Sequence, residues 1–220
     1  MTLVHVVVEG KTEESFVDSV LAPGFWRYNV ELRPKLLGRG RDGGRVSYER
    51  VRKDVEICLK KRDGSYCTTF VDFYGRAKGW PDVPANLPNL NKALSLEDAL
   101  RSDFKEHFDD LWPGKWFIPY IQLHEFEGLL FSDPPALARS IRRPDLASKL
   151  QAIRDEVATP KDIDDGPETA PSKRLLKLYP GYRKVSDGTA AAQAVGLEAM
   201  RRDCPHFRDW LQRLQAIGAS

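Results

Sequence analysis

Five acidic side chains and one histidine stand where chemistry is possible. Glu9 follows Leu3-Val4-His5-Val6-Val7-Val8, Asp72 closes Tyr66-Cys67-Thr68-Thr69-Phe70-Val71, and His124, Glu125 and Glu127 follow the stretch Lys115 to Gln122; Glu13 lies one turn beyond Glu9. The stretches are β-branched or aromatic enough to be strands, so Glu9, Asp72 and the His124 cluster each fall at a strand's carboxyl end. Open α/β sheets hold their ligands there. Carboxylate oxygens are hard donors, better suited to a hard divalent cation than to wrapping a phosphate. A plainer role for Glu9 and Glu13 is capping the helix that follows, because acids suit the positive end of its dipole.

Two familiar motifs are excluded by the residues themselves. Gly10-Lys11-Thr12 ends like a P-loop, but His5 occupies the position of the required first glycine, so the phosphate cradle is missing. His124-Glu125 begins like a zincin helix, but Gly128 stands where the second histidine belongs. Glu125 and Glu127 nonetheless sit against Phe126, Leu129, Leu130 and Phe131, where a charge is costly unless paired or bound to metal. Taken alone, Glu125 could be a helix-capping acid and His124 a partly buried histidine with a local partner. The basic residues Lys173, Arg174, Lys177, Arg183 and Lys184 occur between Ser172 and Lys184 without an acid among them. They form either a solvated face or a phosphate-binding patch. Arg39 and Arg41 lie in the glycine-rich segment Gly38 to Arg45, a second local basic surface.

The elements that position these groups follow from periodicity. The first strand runs into a helix with Thr12 as N-cap and Phe16, Val17, Val20 and Leu21 on its buried side, broken at Pro23-Gly24. A second strand is expected from Asn29 to Leu37. Val51, Val55, Cys58 and Leu59 mark a helix within Ser47 to Arg62, and Leu96, Leu100 and Phe104 another over Ser95 to Phe108. Between the strand ending at Asp72 and that helix, Gly75 to Asn91 reads as a long loop. Pro119 marks the fourth strand as an edge or a bulge, and an apolar helix is expected after His124. Beyond a Pro/Asp-rich linker from Thr159 to Ala170, short helices are expected over Ser172 to Leu178 and Thr189 to Arg201. A last helix carries the stripe Phe207, Trp210, Leu211, Leu214 and Ile217. Strands separated by amphipathic helices favour parallel crossovers, which would bring Glu9 and Asp72 to one edge of the sheet. The expected architecture is α/β: a core over residues 1–135 and a helical C-terminal extension over 136–220 packed on it.

Composition narrows the classes. With 220 residues, 41% hydrophobic and 30% charged, the chain belongs with folded globular proteins. A net charge of +2 lacks the basic excess of a general nucleic-acid-coating protein, so any such contact must be local. Three cysteines without metal-ligand spacing suggest reduced thiols in a cytoplasmic protein. No signal peptide and no membrane-spanning apolar run is expected.

Glu9-Gly10-Lys11-Thr12-Glu13 after a strand, the strand ending in Asp72, and His124-Glu125-Phe126-Glu127-Gly128-Leu129-Leu130-Phe131 together resemble a bacterial family, domain of unknown function 4276 (DUF4276). Its core is similar to the TOPRIM fold of topoisomerases, primases and OLD-type nucleases. The resemblance covers nearly the whole chain, including Pro171 to Arg174 and Tyr182 to Lys184. It implies a mainly parallel four-stranded sheet flanked by helices and a Mg²⁺ or Mn²⁺ site with Glu9, Asp72, Glu125 and Glu127 as ligands. The implied chemistry is phosphodiester hydrolysis. Glu13 would ligate or orient water, His124 would position a phosphate or act as acid or base, Lys184 or Arg174 would offset developing charge, and Lys173, Arg174, Lys184, Arg39 and Arg41 would hold nucleic acid. It also implies an ATPase partner in antiphage defence. One departure stands out: TOPRIM enzymes usually carry Asp-x-Asp at the second motif, and Tyr74 occupies the second position here. Glu125 or Glu127 would have to replace it. Two other classes fit the same residues: a non-catalytic TOPRIM-like subunit serving an ATPase, and a small-molecule phosphohydrolase or nucleotide-binding protein using Gly38 to Arg45 as its phosphate loop. The sequence does not fix the oligomeric state.

Overall fold

The computed structural model describes residues 1–38, 46–61, 63–73, 79–84, 86–108, 114–123, 125–163 and 168–219. In chain order it contains β1 (Thr2–Val8), α1 (Lys11–Phe16), a π-helical turn (Val17–Leu21), α2 (Ala22–Phe25), β2 (Val30–Leu36), α3 (Tyr48–Leu59), β3 (Tyr66–Asp72) and α4 (Asn89–Phe108). There follow β4 (Phe117–Ile118), β5 (Ile121–Gln122), a 3₁₀ helix (Phe126–Ser132), α5 (Pro134–Ser140), α6 (Ala147–Asp155) and a 3₁₀ turn (Pro160–Asp162). The chain ends with α7 (Pro171–Leu178), α8 (Lys184–Asp203) and α9 (Pro205–Ile217). No helix among the described residues is long and apolar enough to cross a membrane. Cys58, Cys67 and Cys204 are buried free thiols.

The strands form one sheet in the order β2-β1-β3-β4, with β5 also on β3, and each pairing is parallel. Side chains alternate between the faces, as the two-residue period of a strand requires. Val4, Val6, Val8 and Phe70 join Phe16, Phe25, Phe207 and Trp210 in the core of one face. Val7, Cys67 and Val71 join Val51, Val55, Leu96, Leu100 and Phe104 in the core of the other. Helices therefore cover both sides of a mainly parallel sheet, and the C-terminal helices α8 and α9 share the first layer with α1 and α2. Trp210 stacks on Phe70 and Tyr120 with ring centroids 5.5 and 4.4 Å apart.

Local chemistry explains where the elements differ from expectation. The helix after β1 is capped by Gly10, not Thr12, because the Glu13 carboxylate reaches back and accepts the Gly10 N–H at 2.9 Å. A side chain at Gly10 would begin 3.0 Å from that carboxylate, so glycine permits the close approach. Pro23 does not end the helical path. A π-turn bond from Ala22 N–H to Val17 carbonyl precedes it, and Pro23 falls in the first turn of α2, where its missing N–H has no partner to lose. The fourth strand is split at Pro119 into β4 and β5. The Thr69 hydroxyl spans the break, donating to the Tyr120 carbonyl at 2.8 Å and accepting the Tyr120 N–H at 2.9 Å.

Helix α4 begins six residues before the expected Ser95. Its buried stripe starts at the small Ala93 and includes Glu97, which no apolar period reveals. Glu97 accepts the Ile121 N–H at 3.0 Å and pairs with His206 Nε2 at 2.8 Å, tying α4 to β5 and α9. The apolar stretch after Glu125 is a 3₁₀ helix, opened by Gly128 N–H to the Glu125 carbonyl at 3.0 Å. Helix α8 begins at Lys184, ahead of the expected Thr189, and bends at Gly196, whose φ of 77° lies outside the helical region. Helix α5 ends in a paired-turn cap. Arg143 N–H bonds to the Ala138 carbonyl at 2.9 Å and Arg142 N–H to the Arg139 carbonyl at 3.0 Å, with Arg142 left-handed at φ 57°.

Candidate active site

The parallel register carries β1 and β3 to the same edge, Val8 opposite Phe70. Glu9 and Asp72 emerge there side by side, and the Asp72 N–H donates to Glu9 Oε2 at 3.4 Å. Glu13 faces them from the first turn of α1. From the other side, the loop after β5 brings Glu125, whose Oε2 accepts the Ser172 N–H at 2.9 Å, and the 3₁₀ helix brings Glu127, only 2% exposed. Lys184, at the start of α8, points its ammonium at both, 3.5 Å from Glu125 Oε1 and 3.6 Å from Glu127 Oε1.

These carboxylates repel one another in a poorly solvated place, which raises the pKa of each group shifted. Burial, then the charge of Glu13, pushes Glu9 up to about 7. Burial likewise raises Glu13, although its hydrogen bonds oppose this. Asp72 is driven well above the carboxylate range by burial and then by Glu13, Glu9, Glu127 and Glu125. Its Oδ1 is sealed from solvent without a hydrogen bond, as is Glu127 Oε1. Burial pushes Glu127 up to about 7 even with Lys184 lowering it. Burial disfavours the Lys184 ammonium, but Glu127, Glu125 and Asp72 outweigh that and hold its pKa above the usual lysine value.

Among the candidates, the fold thus gathers Glu9, Glu13, Asp72, Glu125, Glu127 and Lys184. It does not bring Arg174 to them: that guanidinium is held by the Thr169 carbonyl at 2.9 Å and Glu156 at 2.7 Å. Lys173 is exposed on α7 and makes no hydrogen bond or ion pair to the acids among the described residues. His124, Arg39 and Arg41, together with Tyr74, lie outside the described residues.

Two further residues feel the charges of the cluster, although the sequence assigns neither a role. The buried Tyr182 hydroxyl has no hydrogen-bond partner, and burial followed by the charges of Glu127, Asp187 and Glu125 keeps it protonated. Lys161, buried in the 3₁₀ turn of the linker, has an unpartnered Nζ; burial pushes its pKa down to about 8, against the pull of Cys204 and Asp72.

The donor set is oxygen throughout and two of its oxygens are sealed without a hydrogen bond, which is the chemistry of a hard divalent cation site. Among the described residues, no three acids, histidines or cysteines are placed to hold an ion as they stand. Closing a shell would require the side chains to move together.

Residues 8–215 match the family model described as "Domain of unknown function (DUF4276)". The chain belongs to the DUF4276 family. Two solved structures of the C-terminal region of the Xanthomonas campestris pv. campestris OLD protein, phased with platinum and with mercury, are similar to this family member. Each has 15% sequence identity and a TM-score of 0.45; the alignments cover 99% and 98% of this chain and 94% and 96% of those chains. No curated protein matches it.

Proposed function

We propose that this DUF4276 protein is a divalent-metal-dependent phosphodiesterase acting on nucleic acid, with its centre at Glu9, Glu13, Asp72, Glu125 and Glu127. The observation that carries the reading is the gathering of five carboxylates at the carboxyl ends of parallel strands, with an oxygen of Asp72 sealed and unpartnered. A fold does not bury such a repulsive set cheaply, so a cation or a functional role is its natural explanation. Glu9, Asp72 and Glu125 or Glu127 would hold Mg²⁺ or Mn²⁺. When bound, the ion supplies charge neutralisation at a phosphate and lowers the pKa of a coordinated water.

The remaining roles belong to the chain. Glu13, anchored by one oxygen on Gly10 N–H, would orient the attacking water with the other. Lys184, kept charged by its acidic neighbours, would offset negative charge developing on the phosphate oxygens. His124 would assist in placing the phosphate, and Lys173 with Arg39 and Arg41 would contribute to the backbone contact. An ATPase partner and a role in phage defence belong to the same proposal, on motif resemblance alone.

A second reading has its own observation. Lys184 already stands within 3.6 Å of both Glu125 and Glu127, so the cluster could be internally compensated in a non-catalytic subunit. Cleavage of labelled DNA and RNA by the purified protein with Mg²⁺ or Mn²⁺, beside Glu9→Gln and Asp72→Asn, separates the two. Metal-dependent cleavage lost in both variants supports the enzyme. Wild-type protein that cleaves neither substrate, alone or with an ATPase partner, supports the subunit.

A further inference from the structure

A cleft of about 430 Å³ opens between the end of α5 and the start of α8, and none of the acid cluster lines it. Arg142, Arg143, Tyr179, Arg183, Ser186 and Asp187 line it. What links it to the centre described above is the chain itself. Arg183, the N-cap residue of α8 with an extended backbone at φ −108° and ψ 109°, immediately precedes Lys184. At this junction Lys184 reaches Glu125 and Glu127 while its neighbour Arg183 lines the cleft.

The cleft's chemistry is that of a strand-binding groove. Arg183 is braced by Asp187, which accepts from its NH2 group at 3.0 Å and its backbone N–H at 2.8 Å. Arg143 is held flat by a two-point bond to Asp145 at 2.8 and 2.6 Å, with its guanidinium carbon 5.7 Å from the centroid of the Tyr179 ring. Arg142 makes no ion pair among the described residues. It also occupies the left-handed cap position of α5, at φ 57°, which favours glycine and strains an arginine. An unpaired arginine kept at a strained position in a cleft that also holds a braced arginine and an aromatic face suits an anion carrying a planar group.

We infer that this cleft binds a flanking segment of single-stranded nucleic acid, with Arg142 and Arg183 on backbone phosphates and the Tyr179 ring beneath a base. Guanidinium forks match phosphate oxygens, and base–aromatic stacking tolerates any sequence. The inference deepens the phosphodiesterase reading and rests on it for the identity of the ligand.

The test is anisotropy of a fluorescent single-stranded 12-mer with the full chain in EDTA, where binding is read without cleavage. Arg142→Gly is the informative variant, because glycine relaxes the strained cap while removing the side chain, so the fold is kept. Combined with Arg183→Gln it should weaken binding at least tenfold and lower the log–log salt slope by about 1.4, since each single-strand phosphate contact contributes roughly 0.7. Tyr179→Ala should weaken binding further at unchanged salt slope. Affinity and slope equal to wild type in the double variant would overturn the inference, as would wild-type protein that does not bind the 12-mer. So would dTMP binding as tightly as the 12-mer with the same dependence on Arg142, which would make the cleft a small-molecule site. Cleavage is scored separately. Binding that depends on Arg142 without metal-dependent cleavage counts against the acid cluster alone, and cleavage with binding indifferent to Arg142 counts against the cleft alone.

Discussion

Replacing Glu127 by glutamine should stabilise the metal-free protein at alkaline pH. Glu127 is 2% exposed and its carboxyl is raised from 4.5 to about 7 by burial, with Lys184 only partly offsetting this. A group whose folded pKa lies above its unfolded value adds stability that is full below about 4.5 and is lost as pH climbs through about 7. A rise of this size corresponds to about 3 kcal/mol at pH 8. That is a large part of a domain's total stability, and in a chain of this length it amounts to roughly 6–12 °C in Tm. Glu9 rises equally, but it shares the cluster, so the two effects do not add.

Glutamine mimics the protonated acid, so E127Q should exceed wild type in stability by less than ~1 kcal/mol at pH 5 and by about 3 kcal/mol at pH 8. The assay is urea unfolding in EDTA across that range. Taking the difference cancels His5, whose pKa is lowered by burial and then by Lys61 and which therefore destabilises the fold as pH falls. A gap that does not change with pH, or E127Q less stable at pH 8, would refute the reasoning.

Glu97→Ala should cost about 3–5 kcal/mol, because it leaves His206 and the Ile121 N–H buried without their acceptor; chemical denaturation reads the loss, and a cost below about 1 kcal/mol would contradict the buried network. Thr69→Val should cost about 1–3 kcal/mol by stripping both Tyr120 backbone groups of their bridge, and amide exchange should quicken at Tyr120 and Ile121 rather than in β1. Saturating Mg²⁺, at about 100 times its Kd, should raise wild-type stability at pH 8 by about 2.7 kcal/mol and that of Asp72→Asn by much less, read as Tm in EDTA and in Mg²⁺.

The sheet edge was legible because it is written in two local codes, strand periodicity and the position of an acid. Val4 to Val8 and Tyr66 to Val71 fix the strands, and a parallel register then sets Glu9 beside Asp72. Glu125 and Glu127 were legible as charges misplaced in an apolar run. What was not legible depends on tertiary contact. Lys161 reads as an ordinary linker lysine until the 3₁₀ turn is buried, and Tyr182 as one aromatic in a basic stretch until its hydroxyl is sealed beside Glu127. Glu97 carries no signal on α4, because nothing local announces that His206 will meet it 109 residues later. Pro23-Gly24 was misleading for a backbone reason: the π-turn upstream resets the helix so that proline falls where it is tolerated. Arg142 shows the same limit, since an arginine in a left-handed cap is invisible to a code that looks for glycine there.

Whether the gathered carboxylates hold a divalent cation is most directly measured by titrating Mn²⁺ into the metal-free protein at pH 8 and following free Mn²⁺ by electron paramagnetic resonance. Wild type should take up Mn²⁺ at a saturable site that weakens as pH falls from 8 toward 6, because protons compete for Glu9 and Glu127, both raised to about 7. Asp72→Asn and Glu9→Gln should lose that site. Uptake that is equal in wild type and both variants, or absent in wild type, would contradict the account.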